Sequence, residues 1–569
     1  MDKGKRKIIP SHRIARFFPK STASDNESGC DVEKVYEAMA RFICQEEHVT
    51  LPAIKMLVTE MNPSFPFSYL DLGRSIFKVY LEERAKVIQI MENLDARIAL
   101  SVDIVKLDTY GLRKPKGSDE QDLFDILCLR AHFIDDNWKP KSWVLYYGDV
   151  DRIMETGYDR TILKRISDLR IESKISTVTR GYREMHYEVV EVVEDLVKEK
   201  KTLQIKCQPF KLVCCANLLS KMVEAAFKDI EDIIWKILQK NFMYWHITFS
   251  RLQDAIKAEA AGEFSEQFGS IFFDPPTEEE WTKLKYVCRL VDYIYNAAEV
   301  LFFTKNPTAS IYLHNLRELQ ASLRKESTSP DSLSISRDLL KQFDEYWKDM
   351  FLVLAIATVL DPRCKLKYIE FTSMKYDDNS GNSKVTAVLE AIQGIYDDYR
   401  MHSLEALNSS KPSESKPSES KPSDMKLSDS EPSDPDSEEE LPWEEKELPR
   451  HTLERLQKCN FGFNCIDEYN EFIKPSNRPP KSELEWYFDE PVLPWTNDFD
   501  LMSWWRAESP KYPILSKMAR DFLAIPFSVV SSYEAYYYRD FRPADTNLAF
   551  LGPGLPNALV CCRSYFRKE

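Results

Sequence analysis

Four short runs decide how the first third of this chain folds: ARIALSVDIV at residues 96–105, LCLRAHFID at 127–135, SWVLYYGDV at 142–150 and KISTVT at 174–179. Each is rich in branched and aromatic residues and reads as a strand. Residues 151–169 could supply a helix before the last of them. On both sides of this block the period changes. Between Val32 and Glu92, Val35, Met39, Phe42 and Ile43 recur at helical spacing, Asn62, Pro63 and Pro66 interrupt, and Ile76, Val79, Tyr80 and Val87 resume. From Glu188 to about His402 helical periodicity dominates, and Thr277 stands three residues before Glu280 as a capping box opening a long amphipathic helix.

Composition bounds the class. A chain of 569 residues, 43% hydrophobic and 12% aromatic, can build large cores over roughly two to four domains. No run approaches the roughly 18 apolar residues of a membrane span. The N-terminus, MDKGKRKIIPSHRIARFFPK, lacks the apolar core of a secretory signal. The 12 cysteines are scattered and read as reduced thiols of an intracellular protein. A net charge of −15 argues against a generally basic nucleic-acid binder, so any DNA contact must come from a local patch. Lys3, Lys5, Arg6 and Lys7 read first as a solvated tail, and alternatively as a nuclear import signal or a phosphate-contacting arm. Between Ser409 and Glu440 the chain repeats SKPSE and sets 4 lysines against 10 acids, a net of −6. That stretch reads as a solvated linker without a core, and Ser428, Ser433 and Ser437 each precede an acid by three residues, a pattern that suits acidophilic kinases.

Near the C-terminus, DFDLMSWWRAESPKYPILSKMARDFLAIPFSVVSS runs from Asp498 to Ser532. Leu501, Trp504 and Trp505 make one apolar helical face. Pro510 and Pro513 break the chain, and a second helix from Leu515 to Leu523 carries Leu515, Met518, Ala519 and Phe522 on one face before Pro526 ends it. Pattern alone leaves open whether these aromatics fill a core or meet another chain.

The wording of this segment resembles the C-terminal dimerisation region of the hAT-superfamily DNA transposases, with their FD-x-L-x-WW…YP-x-LS-x-MARD-x-LAIP-x-S phrase. Further phrases agree: AHFIDDNWKPKSWVLYY at 131–147, and the run from Lys341 to Phe371 containing LAIATVLDPRCKL. The resemblance covers most of residues 33–569 and extends to the domesticated plant members of the superfamily. It implies an α/β part plus a large all-α part, that is, a ribonuclease-H-like fold interrupted by a long helical insertion. The expected organisation is a basic tail at 1–32, a helical region at 33–95, the first ribonuclease-H-like part at 96–212, the insertion at 213–405, an acidic Ser/Pro linker at 406–447, and the dimerisation region with the end of the fold at 448–569.

The family's chemistry needs three carboxylates holding divalent metal for DNA cleavage. Asp103 stands at the first position. Gly181 occupies the second, with Glu184 the nearest acid, and Tyr533 occupies the third, with Glu534 displaced by one. The family's RCCAH phrase is also altered: Val213 and Asn217 stand at its arginine and histidine, leaving Cys214 and Cys215 as small buried hydrophobes. The paired cysteines and histidines of the family's BED zinc finger have no counterpart around Cys30 and Cys44. His132 reads as a framework residue, and Asp361, Arg363 and Lys365 as satisfied charges at a helix end. The expectation is therefore a nuclear, hAT-transposase-derived protein with a vestigial Asp103 and no working metal centre. It would assemble through Leu501, Trp504, Trp505, Leu515 and Met518 with itself or a related hAT-like chain, and possess residual DNA or chromatin contact but no membrane association. The alternatives are an active Mg²⁺-dependent transposase using Asp103, Glu184 and Glu534, and a scaffold or remnant that does not touch nucleic acid.

Overall fold

The structure, a computed structural model, describes residues 31–45, 51–107, 124–149, 166–181, 204–205, 208–210, 212–238, 245–268, 275–303, 308–330, 332–377, 381–409, 482–496, 498–529 and 554–566. Three helices come first: α1 (Val32–Gln45), α2 (Leu51–Met61) and α3 (Tyr69–Asn93). The strands follow: β1 (Ile98–Leu107), β2 (Phe124–Ile134), β3 (Pro140–Asp149), β4 (Ile175–Arg180), and the short β5 (Gln204–Ile205), β6 (Gln208–Pro209) and β7 (Leu212–Val213). A helical series comes next, with α4 (Cys215–Lys228), α5 (Glu231–Leu238), α6 (Trp245–Ala260), α7 (Phe264–Gln267), α8 (Glu278–Phe303), α9 (Ala309–Ser327), α10 (Ser334–Val359), α11 (Lys365–Tyr376) and α12 (Gly381–Ser409). The last described helices are α13 (Glu483–Asp489), α14 (Leu501–Glu508), α15 (Pro513–Leu523) and α16 (Gly554–Phe566).

All four runs expected to be strands are strands. With the short β7 they form one five-stranded mixed sheet in the order β3-β2-β1-β4-β7. β1 and β2 pair antiparallel, as do β2 and β3, whereas β1–β4 and β4–β7 are parallel. An antiparallel meander followed by parallel strands on its far side, with helices interrupting it, is the arrangement a ribonuclease-H-like fold requires. Alternation along the strands sorts the two faces. Leu127, Leu129, Ala131 and Phe133 join Leu100 and Val102 over Val87 and Met91 of α3, while Cys128, Val144 and Tyr147 pack with α1, α3 and α16. The helix expected at 151–169 falls mostly outside the described residues.

The final helix seals the sheet. On the edge strand β3, the Val144 and Tyr147 amides donate to Ser564 Oγ and Asn557 Oδ1, both at 2.9 Å. Edge amides left unpaired would invite strand addition from another chain.

In the helical part, the capping box forms as read. Thr277 N donates to Glu280 Oε2 at 2.8 Å and Glu280 N to Thr277 Oγ1 at 3.3 Å. The buried Arg317 of α9 pairs with Asp377, which Lys384 also approaches at 2.6 Å, and its guanidinium lies 5.4 Å from the Trp347 ring. α12 runs on through Ser409, into the stretch where a linker was expected; residues 410–481 lie outside the described structure. The helix expected from Leu515 starts at Pro513, whose fixed φ suits a first helical position.

Candidate functional site

Two places gather the residues that the sequence singles out. The first is one edge of the sheet, where β1 and β4 run parallel. β1 carries Asp103, paired with Cys128 of β2, and its neighbour Val102 pairs with Arg180, the last residue of β4. Gly181 follows immediately, and its amide donates to Val102 O at 3.0 Å. The first and second expected positions are therefore neighbours across two strands. The lead-in to the third is fastened to the same place. Thr179 Oγ1 donates to Pro526 O and the Cys215 amide to Phe527 O, both at 2.9 Å. The Val529 amide reaches Cys214 Sγ at 3.3 Å. Glu184, Tyr533 and Glu534 lie outside the described residues.

The second position gives a metal pair no side-chain donor. Glycine offers no side-chain oxygen, and hard divalent ions need several oxygen ligands in tight geometry. Among the described residues no three His, Cys, Asp or Glu side chains gather closely enough to hold a metal. Cys214 and Cys215 are fully buried, and burial pushes the Cys215 thiol far up, out of reach of a metal-binding thiolate. His132 pairs through Nε2 with Ser101 Oγ at 2.8 Å, and desolvation, then the Arg130 charge, pushes it down to about 3, so it stays neutral in the framework.

The second place is a junction built on loop 359–365, between α10 and α11. Asp361, 1% exposed, accepts from Ser310 Oγ at 3.0 Å and from Arg363 through N, Nε and a terminal nitrogen at 3.1, 2.9 and 2.7 Å. The Arg363 guanidinium in turn sits 3.9 Å from the Trp495 ring centre and 4.6 Å from that of Phe499. Lys365 donates to the carbonyls of Tyr487 and Glu490 and lies 4.4 Å from the Tyr487 ring. Burial pushes its amine down to about 8. Tyr487 OH donates to Val359 O, Trp505 Nε1 to Leu360 O, both at 2.9 Å, and the Leu493 amide to Pro362 O at 3.0 Å. The three charges are thus satisfied, as expected: Asp361 by Ser310 and Arg363, while Arg363 and Lys365 also receive the segment from Tyr487 to Phe499 rather than complementing a helix dipole.

This junction places the residues expected to make a dimer. Leu501, Trp505, Leu515 and Met518 are buried within one chain, Trp505 completely, stacked near Trp138 and Tyr487 at 6.3 and 5.8 Å. Trp504 keeps partial exposure, edge-on to Trp505 at 5.0 Å. The four buried side chains shape the C-terminal region from inside, and what they leave for another chain are neighbours such as Trp486, 51% exposed.

Sequence reasoning missed Arg520 and Asp521. Arg520 pairs with Asp136 at 3.0 Å and lies 5.1 Å from the Trp138 ring. Asp521, 4% exposed, accepts from the Arg97 amide at 2.8 Å and from Tyr399 OH, joining β1, α12 and α15. Burial raises its pKa, opposed by Tyr399 and Arg97. The available signal was an acid beside the apolar face of a helix, a position that calls for a buried partner.

Comparison with known proteins agrees with this architecture. Residues 310–399, on α9–α12, match the family model described as hAT-like transposase, RNase-H fold; residues 483–565 match the hAT family C-terminal dimerisation region. The chain is 25% identical to the zinc finger BED domain-containing protein RICESLEEPER 1 of Oryza sativa subsp. japonica, across 98% of this chain and 77% of that protein. It is 23% identical to the zinc finger BED domain-containing protein DAYSLEEPER of Arabidopsis thaliana, across 94% and 73%. A Zea mays relative named for the AC transposase is 22% identical, across 89% and 62%. Residues 1–30, where the sequence offers no paired finger ligands, lie outside the described structure.

Proposed function

We propose that this hAT-transposase-derived chain no longer cuts DNA and works in the nucleus as a dimer, with itself or a related hAT-like chain, in contact with DNA or chromatin. The observation that carries the reading is Gly181. Its amide bonds Val102 beside Asp103, where a second carboxylate is required, and its side chain is a hydrogen atom. Tyr533 at the third position argues the same way from sequence. Asp103 then remains as a vestige, and the matched dimerisation region is the part of the inheritance still in use.

The test uses the purified full chain with supercoiled plasmid and Mg²⁺ or Mn²⁺. No nicking above a metal-free control is expected. Robust nicking that disappears in Asp103→Ala would establish the transposase alternative instead. DNA binding that weakens steeply with salt supports the chromatin reading, because released counterions make phosphate contacts salt-dependent. Absence of binding at low salt would leave the scaffold alternative.

A further inference from the structure

Helix α3 presents an apolar stripe to solvent. Leu70, Phe77 and Leu81 are 53%, 42% and 51% exposed. Spacings of seven and four residues put them within about 40° of one another around the helix, and half-buried Ile88 continues the line. Arg74, Lys78 and Glu82 run along one flank with side chains 72%, 52% and 38% exposed. The opposite face of α3 is core: Leu72, Ile76, Val79, Tyr80, Val87 and Met91 are buried. The helix is therefore amphipathic toward its own domain and apolar again on the outside, a pattern that marks an interaction site rather than a solvated face.

We propose that this stripe is a contact with a second copy of the chain, formed by two α3 helices lying antiparallel across a two-fold axis near Val79. Two observations select that occupant. The stripe is self-complementary. A dyad at position 79 sets Phe77 against Leu81 of the partner subunit, and Leu70 against Ile88 of the partner subunit, each twice. It also sets Arg74 and Lys78 beside Glu82 of the partner subunit. A two-fold contact requires just such a patch that fits itself. Within its own chain Arg74 pairs with Asp71, Lys78 with Glu33 and Glu37, and Glu82 with Arg41, and each keeps exposed surface for a further partner.

The second observation is continuity. The matched dimerisation region ends in α16, and a side-chain carbon at Gly554, its first residue, would lie 3.7 Å from the Phe77 ring. The stripe thus extends the C-terminal region's surface. Three apolar side chains are too few for a stable interface, which takes about 800 Å² per partner, so the stripe completes a larger face. The inference rests on the dimer reading above and adds the helix, the register and the charge pairs.

Light scattering and sedimentation of the full chain, with thermal melts, test it. Leu70→Glu/Leu81→Glu is expected to weaken dimerisation at least tenfold at an unchanged melting temperature. A dimer of parental strength in that variant overturns the inference and leaves the C-terminal reading standing. A lower melting temperature with assembly unchanged also overturns it, because the stripe is then covered by the chain's own residues. A parent that is monomeric at all concentrations overturns both readings. A second measurement does not depend on the apolar substitutions being tolerated. Arg74→Glu and Glu82→Arg chains should each self-associate poorly, yet form mixed dimers when combined. No preference for the mixed dimer overturns the register.

Discussion

The junction at loop 359–365 and the edge between β1 and β4 both carry phrases that resemble those of the hAT transposases, yet they depart from them unequally. At the junction Asp361, Arg363 and Lys365 all persist, each buried against a partner. At the edge the second expected carboxylate is Gly181. Folding physics explains the contrast. Removing one member of a buried pair strands the other charge in a desolvated site, a loss of about 3–5 kcal/mol. Carboxylates gathered to hold metal repel one another when the metal is absent, so the same penalty does not attach to exchanging one of them.

The contrast breaks most visibly at Arg363. Arg363→Ala leaves Asp361 buried with only Ser310 as a side-chain donor, and removes the cation between Trp495 and Phe499. A loss of about 3–5 kcal/mol is expected in urea unfolding. A change below about 1 kcal/mol would mean that residues 483–505 dock without this pair. Charged replacements at Leu501 and Trp505 belong to the same class. They should give unfolded protein, not a folded monomer, because Trp505 is wholly inside and its indole bonds Leu360 O. A soluble, folded monomer would return both residues to the dimer interface.

Lys365 sharpens the comparison through pH. Its amine stands at about 8 in the folded chain against 10.5 when solvated, burial being the leading cause. The unfolded chain therefore binds more protons between those values, so this residue's contribution to stability rises with pH across that window. The slope is at most about 1.4 kcal/mol per pH unit. Subtracting a Lys365→Met denaturation series from the parent's, between pH 7.5 and 10, isolates it. A flat difference would mean that the two carbonyls and the Tyr487 ring offset desolvation completely. The variant itself should be less stable than the parent at pH 7.5, since the Tyr487 and Glu490 carbonyls lose their donor.

Much of this was legible before any coordinates. The four strands show because short runs so rich in branched and aromatic residues have few alternative explanations, and the capping box at Thr277 and Glu280 shows because its two bonds are local. Gly181 was readable as a departure for a simple reason: glycine has no side-chain oxygen to offer a metal. What could not be read was which surface the C-terminal aromatics cover. A helix face bearing Leu501 and Trp505 has the same pattern whether it meets its own chain or another. The deciding contact, Trp505 with Leu360, spans 145 residues, and Asp521 meets Arg97 across 424. Periodicity carries no information at that separation. The stripe on α3 escaped for the converse reason, because an apolar residue that stays exposed looks like one that is buried.

A smaller effect is expected from deleting residues 409–440. Their lysine, serine, proline and acid content cannot support a core, so the melting temperature should move by less than about 2 °C. A drop of several degrees would show that the stretch packs against the junction or the helices.

The smallest effect should come from Gly181→Asp, which restores a carboxylate beside Asp103. Gly181 is half-buried just beyond the end of β4, and its backbone bond to Val102 O survives any side chain. Stability should change by no more than about 0.5–1 kcal/mol, and assembly not at all. No nicking should appear with Mg²⁺ or Mn²⁺, because Tyr533 still stands where the third carboxylate belongs and a misplacement of about 1 Å can lower a rate about 100-fold. Combining it with Tyr533→Glu tests whether the edge lost only its ligands. Metal-dependent nicking in that double variant, abolished by Asp103→Ala, would show that the fold still positions three acids and that two residues separate this chain from an active enzyme. Continued silence would mean that the surrounding edge has drifted as well. A loss above about 2 kcal/mol from Gly181→Asp alone would break the comparison at its root, since Gly181 would then be held by packing in the way that Asp361 is.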